Sequence, residues 1–96
     1  MDKKIFSKHE GESAGEIFFF GLSTCIWCRK TKEYLMSKGI EFYFVYVDQL
    51  DDLTKQEVRE WLKKWNPDLS YPTIVFDNEK TVVGFNEDDI DREIAK

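Results

Sequence analysis

The longest unbroken apolar run in the chain is Ile17-Phe18-Phe19-Phe20, with Leu22 nearby. Its length and continuity predict a short strand buried on both faces. Gly21-Leu22-Ser23-Thr24 then reads as a loop, and a helical pattern starts at Cys25. Trp27, Thr31, Tyr34 and Leu35 recur near one face, while Arg29, Lys30, Lys32 and Glu33 fall largely elsewhere. Gly39 closes this helix as a terminating glycine. Phe42-Tyr43-Phe44-Val45-Tyr46-Val47 is β-branched and aromatic throughout and predicts a central strand. With so short a link after Gly39, strand, helix and strand form a right-handed βαβ unit with two parallel strands.

Residues 48–53 read as a linker, with Asp51-Asp52 in a solvated turn. Thr54 and Glu57 match a capping box. Val58, Trp61, Leu62 and Trp65 follow at i, i+3, i+4 and i+7, an amphipathic helix that Asn66-Pro67 stops. Beyond Tyr71-Pro72, residues 73–76 predict a strand, 77–80 a turn and 81–83 a returning strand. After Gly84, Asn86 can cap a last helix with Asp89 at the third position, and Phe85 and Ile90 can staple it. The predicted order is β-α-β-α-β-β-α. It makes an α/β domain over residues 16–96, with a four-stranded mixed sheet flanked by helices on both faces. Residues 1–15 are polar, broken by Gly11 and Gly15, and read as an N-terminal arm with at most a short edge strand at Ile5-Phe6.

Composition narrows the classes. Ninety-six residues fit one domain, and 42% hydrophobic with 34% charged residues describes a folded, water-soluble chain. A net charge of −5 opposes contact with phosphate backbones, so no nucleic-acid partner is expected. The amino end lacks a signal-peptide apolar stretch and no run reaches membrane-spanning length. The expectation is a cytoplasmic, membrane-free monomer.

The chemistry sits in Cys25-Ile26-Trp27-Cys28, which holds both cysteines of the chain. A secreted disulfide scaffold needs more bridges than this. Zinc needs four ligands, and one distant His9, read as an exposed arm residue, does not complete a set. Two inert buried thiols are the plain structural reading. A CxxC in a cytosolic chain with βαβ patterning reads instead as a thiol–disulfide redox pair. Cys25 lies where a strand gives way to a helix, so its sulfur faces unpaired amide hydrogens and the positive end of the helix dipole. Both favour a negatively charged, attacking sulfur. Cys28, one turn deeper on the same side, suits a resolving thiol that displaces whatever Cys25 captures. Arg29 and Lys30 are candidates to add positive charge, and Trp27 reads as an exposed apolar anchor beside the sulfur. Pro72, directly before a strand, reads as a cis-proline whose neighbour Tyr71 offers main-chain groups to an extended substrate.

Taken together, Ser23-Thr24-Cys25-Ile26-Trp27-Cys28, Tyr71-Pro72-Thr73 and Val83-Gly84-Phe85 resemble the glutaredoxins, of the thioredoxin fold, over residues 16–95. The resemblance implies that Cys25 is the nucleophile, Cys28 the resolving thiol and Pro72 a cis-proline. It implies a substrate rim drawn from Leu22, Trp27, Tyr71, Pro72, Thr73, Gly84 and Phe85, and neither a metal nor a bound cofactor. Protein disulfides are the implied substrates, with glutathione or a thioredoxin reductase-type enzyme as reductant. The departures bear on that choice. Glutaredoxins carry a lysine where this chain has Leu22, and often a second glycine and an acidic residue where it has Phe85 and Asn86. Gly84-Phe85 is closer to the NrdH-type redoxins, glutaredoxin-like electron donors of ribonucleotide reductase that are served by thioredoxin reductase. Thioredoxin itself has a buried aspartate in the place of Phe19. The apolar rim and the Glu87-Asp88-Asp89 cluster favour a protein disulfide over anionic glutathione. The other readings are a dimeric module holding an iron–sulfur cluster through Cys25 of each copy, and a redox sensor whose CxxC gates a partner.

Overall fold

In the computed structural model, which describes residues 2–95, the elements are β1 (Ser7–His9), β2 (Ile17–Gly21), α1 (Ile26–Ser37), β3 (Phe42–Tyr46), α2 (Asp52–Leu62), β4 (Thr73–Phe76), β5 (Lys80–Val83) and α3 (Glu87–Ile94). The strands form one mixed sheet in the order β1-β3-β2-β4-β5. β2 and β3 run parallel, and the β1–β3, β2–β4 and β4–β5 pairs are antiparallel. Among the described residues no helix is long and apolar enough to cross a membrane.

The apolar run decides the layering. Successive residues of a strand point to opposite faces. Ile17 and Phe19 accordingly pack with Cys28 and Leu35 of α1 and Ile90 of α3 on one face of the sheet. Phe18 and Phe20 pack with Val58 and Leu62 of α2 on the other. All four are essentially without solvent exposure, and each contributes roughly 1.5–3 kcal/mol by burial. Gly21 ends the strand where no side chain fits: a Cβ there would lie 2.9 Å from Phe19 Cε1 and 3.2 Å from Cys28 Cβ. The close approach keeps the Cys28 thiol hard against the sheet.

The sheet has five strands, not the expected four. The extra strand, β1, lies within residues 1–15 and pairs Ser7 with Phe44 and His9 with Phe42. It follows, rather than coincides with, the expected Ile5-Phe6, because Lys3–Ile5 forms a 3-10 turn capped by Asp2. An edge strand with largely exposed side chains carries little hydrophobic signal; the buried Phe6 just before it is an anchor, its ring 4.9 Å from that of Phe18. His9 is not a free arm residue. It is half-buried, stacks on Phe42 at 5.0 Å and places Nδ1 3.4 Å from Ile40 O.

The start of α2 also differs. Asp51, not Thr54, is the cap: its carboxylate accepts from Thr54 N–H at 2.8 Å and from Thr54 Oγ1 at 2.9 Å. A carboxylate is the better acceptor at a helix N-terminus, so it starts the helix three residues earlier than the expected capping box. The expected linker is thereby split between this helix and a 3-10 turn, Val47–Gln49. The α3 cap is as expected, with the Asn86 side chain accepting from Asp89 N–H.

Candidate active site

β2 and α1 meet at the cysteines. Cys25 is the N-cap of α1, and its carbonyl accepts the first helical bond from Arg29 N–H. Its Sγ accepts from Cys28 N–H at 3.2 Å, so one otherwise unpaired amide of the first turn points at sulfur. The sulfur thus serves as the cap, and the helix loses none. Cys25 is half-exposed and Cys28 is fully buried, and both are free thiols. The Cys28 sulfur accepts from Leu22 N–H at 3.4 Å.

Burial, followed by the hydrogen bond with Cys25, pushes the Cys28 thiol up to about 12. This has a consequence for stability. An unfolded Cys28 ionises near its ordinary value of 9.0, whereas the folded thiol holds its proton to about 12. Between those values the folded state binds more protons, so stability is full below pH 9 and falls as pH rises, by at most about 1.4 kcal/mol per unit. Tyr71, also raised mainly by burial, works in the same direction. Denaturation midpoints of the reduced protein should therefore drop through this alkaline window, and Cys28→Ala should make the slope shallower. An unchanged slope in that variant would place its origin elsewhere.

The expected rim divides into two parts. Trp27, Tyr71, Pro72, Gly84 and Phe85 line one groove of about 300 Å³. The Tyr71–Pro72 bond is cis, and Gly84 N–H donates to Pro72 O at 2.8 Å, fastening the start of β4 to the end of β5. Trp27 is 54% and Ile26 57% exposed, so the dipeptide between the cysteines faces solvent. Phe85 sits against both Trp27 and Tyr34, with ring centroids at 6.1 and 5.8 Å. Lys30 lies over the Trp27 ring at 4.9 Å, a cation held at the rim.

Leu22 faces a different hollow, about 270 Å³, shared with Val47, Asp48, Lys55, Arg59, Leu69 and Tyr71. Thr73 belongs to neither wall. Its side chain is buried, donates to Ser70 O at 2.7 Å and accepts from Asn66 Nδ2 at 3.1 Å, tying down the turn before Pro72.

Three contributors, Lys55, Arg59 and Asp48, carry no signal in the sequence. Lys55 and Arg59 sit on a helix whose apolar stripe was the visible signal, and helical positions do not reveal which cation reaches a loop on another layer. Asp48 accepts from Ser23 N–H at 2.9 Å and from the Ser23 hydroxyl, holding the loop that precedes Cys25. These hydrogen bonds keep its carboxyl below the usual range. Partners 25 residues apart leave no local pattern.

Comparison with known proteins agrees with this geometry. The Glutaredoxin family model matches residues 4–81. An 8.6 kDa glutaredoxin-like protein of the rubredoxin operon in Clostridium pasteurianum is 41% identical over 80 residues, 83% of this chain and 99% of that protein. The structure of Methanosarcina acetivorans methanoredoxin is similar at a TM-score of 0.90 and 38% identity, covering 94% of this chain and 96% of that one. The glutaredoxin from Methanosarcina mazei Go1 follows at 0.88 and 37%, covering 95% and 88%. The chain belongs to the glutaredoxin family, with Cys25 and Cys28 as its CxxC-type pair.

Proposed function

We propose that the chain is a thiol–disulfide oxidoreductase that reduces protein disulfides through Cys25 and Cys28. The Cys25 thiolate attacks one sulfur of the target, and the target's other sulfur leaves as a thiolate and takes up a proton. Cys28 then attacks the Cys25 sulfur. The Cys25–Cys28 bond forms, the mixed disulfide breaks and the second target sulfur departs as a thiol. An external reductant returns the pair to the dithiol.

The observation that carries this reading is the inequality of the two sulfurs. Each accepts a backbone amide hydrogen, but one is partly exposed at the helix cap and the other is wholly buried behind it. The attacking and resolving roles ask for that division. The groove lined by Trp27, Tyr71 and Phe85 supports an extended protein segment as substrate, lying along cis-Pro72 with the Tyr71 main chain alongside.

A second reading has its own support. Lys55 and Arg59 bring positive charge to the hollow beside Tyr71, on the side where Leu22 stands. A small anionic thiol such as glutathione could set a carboxylate there and act as reductant. The two readings part in one experiment, with the oxidised protein reduced by a thioredoxin reductase-type flavoenzyme and by glutathione side by side. The apolar rim and the acidic start of α3 predict faster reduction by the enzyme. Equal or better turnover with glutathione would overturn that preference and favour the cationic hollow.

A further inference from the structure

Leu22 and Ser23 supply two successive backbone amides that point at different acceptors. Leu22 N–H donates to the buried Cys28 sulfur at 3.4 Å, and Ser23 N–H donates to Asp48 Oδ1 at 2.9 Å. The Ser23 hydroxyl adds a second bond to the same carboxylate, through Oδ2. Asp48 comes from another part of the fold, the 3-10 turn after β3, so the loop before Cys25 is anchored across layers. Within the loop itself, Cys25 N–H donates to Leu22 O at 3.2 Å. Ser23 N–H lies in the Leu22–Ser23 peptide, one Cα beyond the Gly21–Leu22 peptide that carries the Leu22 amide, so freeing Ser23 loosens the residue from which that amide projects.

We propose that Asp48 is a positioning residue for the resolving step: by gripping Ser23 through two hydrogen bonds, it keeps the Leu22 N–H on the Cys28 sulfur while Cys28 becomes the nucleophile. This rests on the resolving role of Cys28 given above. In that step the Cys28 proton passes to water, its sulfur bonds to Cys25 Sγ, and the bond from Cys25 to the target breaks with the electron pair leaving on the target sulfur, which takes up a proton from water. A hydrogen bond to the anion favours it, and hydrogen bonds to a charged acceptor such as Asp48 hold their geometry well.

The carboxylate acts in two opposite senses. Its grip maintains the amide that favours the Cys28 thiolate, while its negative charge opposes that thiolate. The other titratable groups that act on this pair are Cys25 at the α1 cap, Tyr71 before β4, and Lys55 and Arg59 of α2, which act on Asp48 and Tyr71. Removing the grip and removing the charge should therefore move the reaction in opposite directions.

The reduced protein is mixed with the aromatic disulfide dithiobis(nitrobenzoate) and release of thionitrobenzoate is followed by stopped flow. The first release reports Cys25 attack and the second reports resolution by Cys28. Asp48→Ala should slow the second release about tenfold and move its pH profile to higher pH, with the first release little changed. Asp48→Asn keeps one acceptor for Ser23 N–H and loses the charge, so its second release should match or exceed that of the unaltered protein and its profile should move to lower pH. Ser23→Ala keeps the amide and loses the hydroxyl; it should give a smaller slowing and serves if Asp48→Ala fails to fold. A second release within about twofold of the original in both Asp48→Ala and Ser23→Ala would overturn the proposal. So would Asp48→Asn slowed as much as Asp48→Ala, or rates lowered without movement of the profile. Cys28→Ser separates the underlying reading: a second release that persists without Cys28 refutes the resolving role itself, whatever the Asp48 variants do.

Discussion

Replacing Cys25 by serine should remove disulfide exchange down to the uncatalysed background, a loss of several orders of magnitude. Replacing Cys28 by serine should leave the first attack intact and stop the reaction at a covalent intermediate. The asymmetry follows from the site. Cys25 Sγ is half-exposed and accepts the Cys28 amide, a bond that belongs to the backbone and survives substitution of the Cys28 side chain. Cys28 is buried and faces Cys25, so incoming protein substrates do not reach it directly. Incubation of Cys28→Ser with oxidised protein substrate, followed by non-reducing electrophoresis and mass spectrometry, should show a mixed disulfide at Cys25. Residual exchange by Cys25→Ser would mean that Cys28 or another group attacks first, and the assignment of roles would fail.

How much of this was legible beforehand depended on whether the signal was local. The four-residue apolar run announced β2, and its alternation explains why α1 and α3 share one face while α2 takes the other. The Asn86 cap is readable from adjacent residues, and the cis bond before Pro72 from a proline that opens a strand in this topology. β1 was not, because a three-residue polar edge strand is held by hydrogen bonds to β3 and not by its own hydrophobicity. Asp51 reads as part of a turn in the sequence because Thr54 offers a competing cap three residues later, and charge settles the contest. In the site, the cysteines and the groove residues Trp27, Tyr71, Pro72, Gly84 and Phe85 were visible as motifs. Thr73 shared a motif with Pro72 yet points inward, since neighbouring strand residues face opposite sides. The Asp48 grip on Ser23 and the reach of Lys55 and Arg59 arise only when β3 and α2 are folded against the loop before Cys25.

Phe19 links the packing to the chemistry, and its truncation should separate stability from reactivity. The ring is wholly buried, packs in the same cluster as Cys28, and lies against the space where a Gly21 side chain would be. Phe19→Ala should destabilise the protein by about 3–5 kcal/mol, because it removes a large buried side chain and leaves a cavity that the sheet cannot close. For a domain of this size that is a large share of the total stability, although a folded population should persist at low temperature. The same change opens the wall behind Cys28. Burial is the leading reason that this thiol holds its proton to about 12, so its ionisation should fall toward the ordinary thiol range. The less stable protein should then carry the more reactive Cys28. Cysteine alkylation by iodoacetamide in a Cys25→Ser background, followed against pH under conditions where circular dichroism shows the variant folded, reads this directly. A Cys28 alkylation profile that stays where it is, despite the loss of stability, would show that the apolar wall does not govern the buried sulfur.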